Sequence, residues 1–276
     1  MNLDALPHTV LIILIEFSAG TLIAALVADA RGMVPAGFVK LSGVIVVAGL
    51  VLALLASVNA SGTELEDYRL RADMFGPIRG ATIAFLALAV MYAWAVLAGS
   101  RGASFAWGVL ATAAGLVTLG LLAWQVSAPA WSFAGVLLSF LAGALALGFV
   151  TEAMVLGHWY LVTPRLAGQP LQELTLVLLC VVVVQAALMI VNAAVPASDV
   201  PESSAVLAGS LGSNPAFWLR AGVGMAFPIA LSFMAWRSSL EDAMMSATGL
   251  LYIAVGAVFV GEVLARGLLF VTASPV

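Results

Sequence analysis

"ATGLLYIAVGAVFVGEVLARGLLF" (residues 247 to 270) is the stretch on which the fold turns. The hydrocarbon core of a bilayer is about 30 Å thick and an α-helix rises about 1.5 Å per residue, so roughly 20 apolar residues in a row suffice to cross it. This run is that long, carries only Glu262 and Arg266 as charges, and lacks the strict alternation of apolar and polar residues that a barrel strand requires. It reads as a membrane-spanning helix. Its acid and base, four residues apart, then need a physical reason to be there.

The rest of the chain repeats the pattern. Hydrophobic residues make up 63% of the 276 and charged residues only 9%, where a soluble domain averages about 25% charged. Eight apolar stretches stand between Pro, Gly and charged loops, at 9 to 28, 38 to 58, 80 to 98, 105 to 126, 132 to 162, 171 to 192, 216 to 236 and 246 to 270. Almost nothing is left for a soluble domain. The fold class expected is all-α, a polytopic integral membrane protein of about eight transmembrane helices, forming one domain with two four-helix halves (1 to 127 and 128 to 276). Ala28-Asp29-Ala30 resembles the small-x-small site of a signal peptide. The segment before it holds Asp4 and no Lys or Arg, and Glu16 interrupts it, so the first stretch is expected to remain as a span.

Composition narrows the function classes. The net charge is −4 and there is no run of Lys or Arg, so neither nucleic acid nor a polybasic grip on lipid headgroups is expected, and the bilayer itself is the first partner. Cys180 is the single cysteine, which excludes an intrachain disulfide and leaves no ligand set for an iron-sulfur cluster or c-type haem. His8 and His158 fall near opposite surfaces, so one haem cannot use both, and no metal site is expected. No HExxH, GxSxG or phosphate-binding glycine loop is present, which leaves hydrolysis without support.

An even number of spans places both termini on one side. The short connections of the other side carry Arg31, Lys40, Arg101, Arg165 and Arg237, whereas Arg69, Arg71, Arg79, Arg220 and Arg266 share the terminal side with Asp4, Glu64, Glu66, Asp67, Asp73, Asp199 and Glu202. The basic residues tie, so loop length and the acids decide: the termini and long loops are expected outside the cytoplasm, on the extracytoplasmic face of the plasma (inner) membrane. Only loops 59 to 79 and 193 to 215 offer much surface to a water-soluble partner. Within them "TELEDYRLRADMFGP" (63 to 77) reads as a short amphipathic helix along the interface and "PASDVPESSAVLAGSLGSNP" (196 to 215) as irregular chain, unless both are plain connectors.

Three acids, Glu16, Glu152 and Glu262, lie inside spans, where an ionisable residue is costly unless paired or neutralised. Glu16 and Glu262 are expected at similar depth in the outer half. Glu262 and Arg266 share one helical face and can pair while Arg266 reaches toward the interface. With Arg220 and Arg79 at the outer starts of their helices, this suggests either a polar pocket or an ion-pair lock between helices 1, 7 and 8. Glu152 precedes "GHWYLVTPRL" (157 to 166), where His158 and Arg165 share a face and Trp159 takes another. That segment reads as an aromatic belt or, with Glu152 and His158, as a second, inner polar site.

Three segments carry a resemblance: "LIEFSAGTLIAALVADARG" (14 to 32), "WLRAGVGMAFPIALSFMAWR" (218 to 237), and 247 to 270 with its Gly-Glu-x-x-x-Arg-x-x-x-Phe ending. Over about a third of the chain the layout resembles the membrane-anchor subunits of dimethyl-sulfoxide-reductase-type molybdoenzymes and the related polysulfide-reductase anchors. The resemblance implies a quinone (menaquinone or ubiquinone) bound near the face where an iron-sulfur subunit docks, no haem or iron-sulfur cluster in the chain itself, and Glu262 and Arg266 at or behind the quinone, with Arg220 nearby. Some anchors carry a histidine after helix 2. Here "SVNASGTELEDY" (57 to 68) has none, so proton handling would pass to an acid, for which Glu262 and Glu16 have the depth and the chemistry.

The leading expectation is therefore a quinone-interacting anchor of a multisubunit respiratory oxidoreductase, not catalytic alone and exchanging electrons with an iron-sulfur or other redox subunit on loops 59 to 79 and 193 to 215. An ion-coupled transporter of small solutes is the alternative, and a purely structural subunit the third reading.

Overall fold

Because each apolar stretch is hydrophobic all round, its backbone must satisfy its own hydrogen bonds, and the helix is the one local structure that does so within a segment. The computed structural model describes residues 5–60, 64–65, 68–130, 132–163, 166–195 and 211–276. It contains eight helices long and apolar enough to span a bilayer: α1 Leu6–Asp29, α2 Ala36–Asn59, α3 Phe75–Leu97, α4 Arg101–Val126, α5 Phe133–Val162, α6 Gln169–Ala194, α7 Pro215–Leu240 and α8 Met244–Thr272. The protein is an all-α polytopic membrane protein. The helix ends follow local chemistry: the Ser132 side chain accepts from Gly135 N at 2.9 Å to start α5, and Asn214 accepts from Ala216 N at 3.0 Å to start α7, where Pro215 needs no donor. Gly99, at φ +72°, closes α3 and lets α4 begin two residues later.

Two helices hold the middle. In α1 and α5, 67% of the apolar window is buried, against 28–33% in α2, α3, α4, α6 and α7 and 56% in α8. α1 packs against α2 and α4, α5 against α6 and α8, and α1 and α5 against each other. They cross at Gly20 and Gly148, where a Cβ added to Gly20 would sit 1.7 Å from the Ala144 carbonyl oxygen. Small residues are what let the two backbones touch. The start of α1 and the end of α8 lie on one face, here the terminal face, with the ends of α2, α4 and α6. The ends of α1, α3, α5 and α7 lie on the opposite face.

The segment after α2 corrects one expectation. Its described residues form no interfacial helix: Glu64–Leu65 pairs antiparallel with Tyr68–Arg69, and a 3₁₀ turn, Ala72–Met74, leads into α3. The reason is its period. Tyr68 and Leu70 are buried while Arg69 is exposed, an alternation of two that suits extended chain rather than helix. The Tyr68 hydroxyl donates to the Val126 carbonyl at the end of α4, and burial pushes its phenol up from the ordinary tyrosine value. Arg71 lies over the Trp124 ring, 3.8 Å from its centroid, and donates to Ser127 Oγ at 3.0 Å. The segment thus caps α4. Residues 196 to 210 of the second loop, together with Asp4, Glu66, Asp67 and Arg165, lie outside the described residues.

Candidate functional site

Three glycines open a space between α5, α7 and α8. A Cβ at Gly143 would lie 2.5 Å from Arg266 Nη2 and 2.5 Å from Glu262 Oε2, and one at Gly261 would lie 2.6 Å from Arg220 Nη1 and 2.7 Å from Gly224 Cα. In that space four charged side chains meet. Glu16, Glu262 and Arg266 are 0% exposed and Arg220 1%.

Arg266 is the hub. Its Nε donates to Glu16 Oε2 at 3.2 Å, and its Nη2 lies 2.7 Å from Glu16 Oε1 as an ion pair without hydrogen-bond geometry. The same Nη2 donates to Glu262 Oε2 at 3.0 Å and to the Ser139 carbonyl at 3.2 Å, and Nη1 donates to Ser139 Oγ at 3.0 Å. The guanidinium lies 4.5 Å from the centroid of the Phe140 ring. Glu262 Oε1 accepts from Gln185 Nε2 at 2.6 Å and from Arg220 Nη2 at 3.2 Å. Five helices, α1, α5, α6, α7 and α8, therefore converge on one network, and its two acids and two bases sum to zero charge.

Neutrality answers the question posed by Glu262 and Arg266. A lone buried ion costs several kcal/mol, whereas a balanced, hydrogen-bonded group can be held in a dry bundle. Arg220 owes its position to a distortion. Directly after it α7 runs through a π-helical turn, Gly222–Ala226, and Arg220 Nη1 approaches the Gly224 carbonyl at 3.5 Å. Pro228 follows just beyond the turn, so this part of α7 is the least regular stretch of any span. Arg220 Nε has no hydrogen-bond partner among the described residues.

Of the residues singled out from the sequence, Glu16, Glu262, Arg266 and Arg220 come together. Arg79 does not: it is exposed on α3, at the rim of a cleft of about 380 Å³ shared with Leu11, Val58 and Phe75 on the terminal face. Glu152 and His158 are not joined either. Glu152 is 0% exposed and its Oε2 lies 2.8 Å from Ser42 Oγ of α2, whereas His158 is exposed and its Nδ1 lies 3.0 Å from the Tyr252 hydroxyl of α8. Six positions on one helix carry the two side chains to different faces.

Gln185, Ser139 and Gly143 belong to the network and escaped the sequence reading. Gln185 left a trace, as the one amide inside "VVVVQAALMIV" (181 to 191). His8 is a further buried group, 3% exposed, with neither ring nitrogen hydrogen-bonded among the described residues, between Phe75 (centroids 6.1 Å) and Phe270 (6.3 Å).

An apolar groove of about 440 Å³ runs between α5 and α6, lined by residues that include Leu141, Ala142, Val181 and Val184. Ala142 adjoins Gly143 in the chain and Val184 adjoins Gln185, so the groove lining and the polar network draw on neighbouring residues of α5 and α6. No protein-family model, curated protein or solved structure matches the chain.

Proposed function

We propose that the chain is a quinone-interacting membrane anchor of a multisubunit respiratory oxidoreductase, working with an external iron-sulfur or other redox subunit. The observation that carries this reading is a buried Glu16–Arg266–Glu262–Arg220 network whose partners on α5 and α6 are chain neighbours of residues lining an apolar groove between those helices. An isoprenoid tail has no polar atoms to satisfy and suits the groove. A headgroup with two carbonyl oxygens needs donors, and Arg220 Nε is a buried donor with no partner among the described residues. Bound quinone supplies two-electron, two-proton redox chemistry. The residues of this chain hold and orient the ring, and Glu262 and Glu16 are the acids placed to accept a proton. Loops 59 to 79 and 193 to 215 are the docking surface in this reading, on the extracytoplasmic side of the plasma membrane.

The irregular turn of α7 favours a second reading. Interrupted helices that expose backbone groups at mid-membrane mark ion-coupled transporters, and the π-turn with Pro228 beside Arg220 is such an interruption. Purification under mild conditions, followed by mass spectrometry of co-purifying proteins and extracted lipid, separates the two. Redox subunits in fixed ratio together with quinone are expected. Isolation of the chain alone or as a homo-oligomer, free of both, overturns the anchor in favour of transport.

A further inference from the structure

Glu152 is buried as deeply as the acids of the network, yet among the described residues no ion pair reaches it, and its Oε1 has no hydrogen-bond partner. An ionised carboxylate so placed would carry its full desolvation cost with a single hydroxyl as compensation. Ser42 indicates how the cost is avoided. Its Oγ lies 2.8 Å from Glu152 Oε2 and 3.0 Å from the Phe38 carbonyl, but a hydroxyl has one proton and cannot donate to both. A protonated Glu152 donates to Ser42 Oγ, and Ser42 then donates to Phe38. Both bonds are made only with the acid neutral.

That acid lies in the half of α5 nearer the opposite face. A cavity of about 240 Å³ opens there among residues that include Asp29, Val39, Val96, Arg101 and Ser104. One helical turn deeper than Val39, Val96 and Ser104 are Ser42, Tyr92 and Gly108. The Tyr92 ring fills that level: a Cβ at Gly108 would lie 3.2 Å from its Cδ2, and one at Gly43 would lie 3.7 Å from its Cε1. Its hydroxyl is buried and has no hydrogen-bond partner among the described residues. Cavity, Tyr92 with Ser42, and Glu152 therefore follow one another into the bundle.

We propose that Glu152 is a proton-binding site that exchanges its proton with water of the opposite face through the cavity at Asp29 and Arg101, with Tyr92 and Ser42 as the intervening hydroxyls. The step is a proton transfer only: the carboxyl O–H breaks, a proton passes to cavity water, and reprotonation returns along the same hydroxyls. The titratable groups around it are Asp29 on α1, Tyr92 on α3 and Arg101 on α4, which donates to the Asp29 carbonyl at 2.7 Å. Lys40 on α2 is exposed, and His158 on α5 is engaged with Tyr252 of α8. This site is separate from the Glu16 network and does not depend on the quinone reading.

The test is infrared spectroscopy of the full chain, with any subunits that co-purify, in lipid nanodiscs, followed after transfer into D₂O. The wild type is expected to show a protonated-carboxyl C=O band that E152Q loses and that shifts on deuteration. E152D supplies the assignment through a changed band frequency should E152Q fail to accumulate. Y92F, which keeps the ring, is expected to retain the band and to slow its deuteration by about tenfold. Absence of any band assignable to Glu152 overturns the site, and an unchanged exchange rate in Y92F overturns the path.

Discussion

Glu16 and Glu152 are equally buried glutamates on the two central helices, and the bundle treats them in opposite ways. Glu16 accepts from Arg266 Nε and ion-pairs with its Nη2, inside a group whose formal charges cancel. Glu152 has a serine hydroxyl alone within hydrogen-bond distance. One site offers a charged acid an opposite charge, and the other offers none. Burial alone therefore says little about the protonation state of an acid in a membrane. The partners decide.

The largest effect is expected from removing the hub of the paired site. Arg266→Ala strands Glu16 in the bundle and leaves Glu262 with Arg220 as its one cation, and breaking a buried pair by removing one partner costs about 3–5 kcal/mol. Thermal unfolding in detergent should show a large drop in Tm, or the variant should fail to accumulate. An unchanged melting profile would mean that the network is not formed and that the contrast between the two acids is false.

A smaller loss is expected from Gly143→Ala, which alters no charge. The added Cβ would lie 2.5 Å from both Arg266 Nη2 and Glu262 Oε2, so the network must shift. Overpacking of this kind costs about 1–3 kcal/mol. The same unfolding assay reads it, and extracted quinone measured alongside tests whether the network matters to what occupies the groove. Unchanged stability would show that the packing around Gly143 is loose.

Helix number and extent were legible because hydrophobic runs are a one-dimensional property: the run read at 38 to 58 is the helix Ala36–Asn59, and that at 171 to 192 is Gln169–Ala194. The meeting of Glu16, Glu262, Arg220 and Arg266 was partly legible, since depth follows from residue count and Glu262 and Arg266 are one turn apart. Which helices are neighbours is a three-dimensional property. Nothing in the spacing of Ser139, Gln185 or Gly143 announces that their helices face Arg266, and nothing local reveals that Arg79 points away. Glu152 and His158 were grouped by closeness in sequence, and the helical period parted them. The pairing of Glu64–Leu65 with Tyr68–Arg69 is not legible because a charged stretch between spans offers both periods, and packing on the end of α4 selects the extended one.

The smallest effect is expected from Glu152→Gln, and it is the most discriminating when set beside Glu16→Gln. Both replace a fully buried carboxyl by an amide of the same shape. At position 16 the change removes the charge that Arg266 grips and leaves the network with an excess positive charge, so a loss of about 3 kcal/mol is expected. At position 152 the amide can donate to Ser42 Oγ as the protonated acid does, and no charge is lost, so the change should stay below about 1 kcal/mol. Equal and large losses would show that Glu152 carries a charge held by a partner. Equal and small losses would show that the guanidinium grip on Glu16 contributes little, and the two acids would then differ in geometry but not in energy. Only a large loss at 16 with a small one at 152 matches a bundle that pairs one acid and neutralises the other.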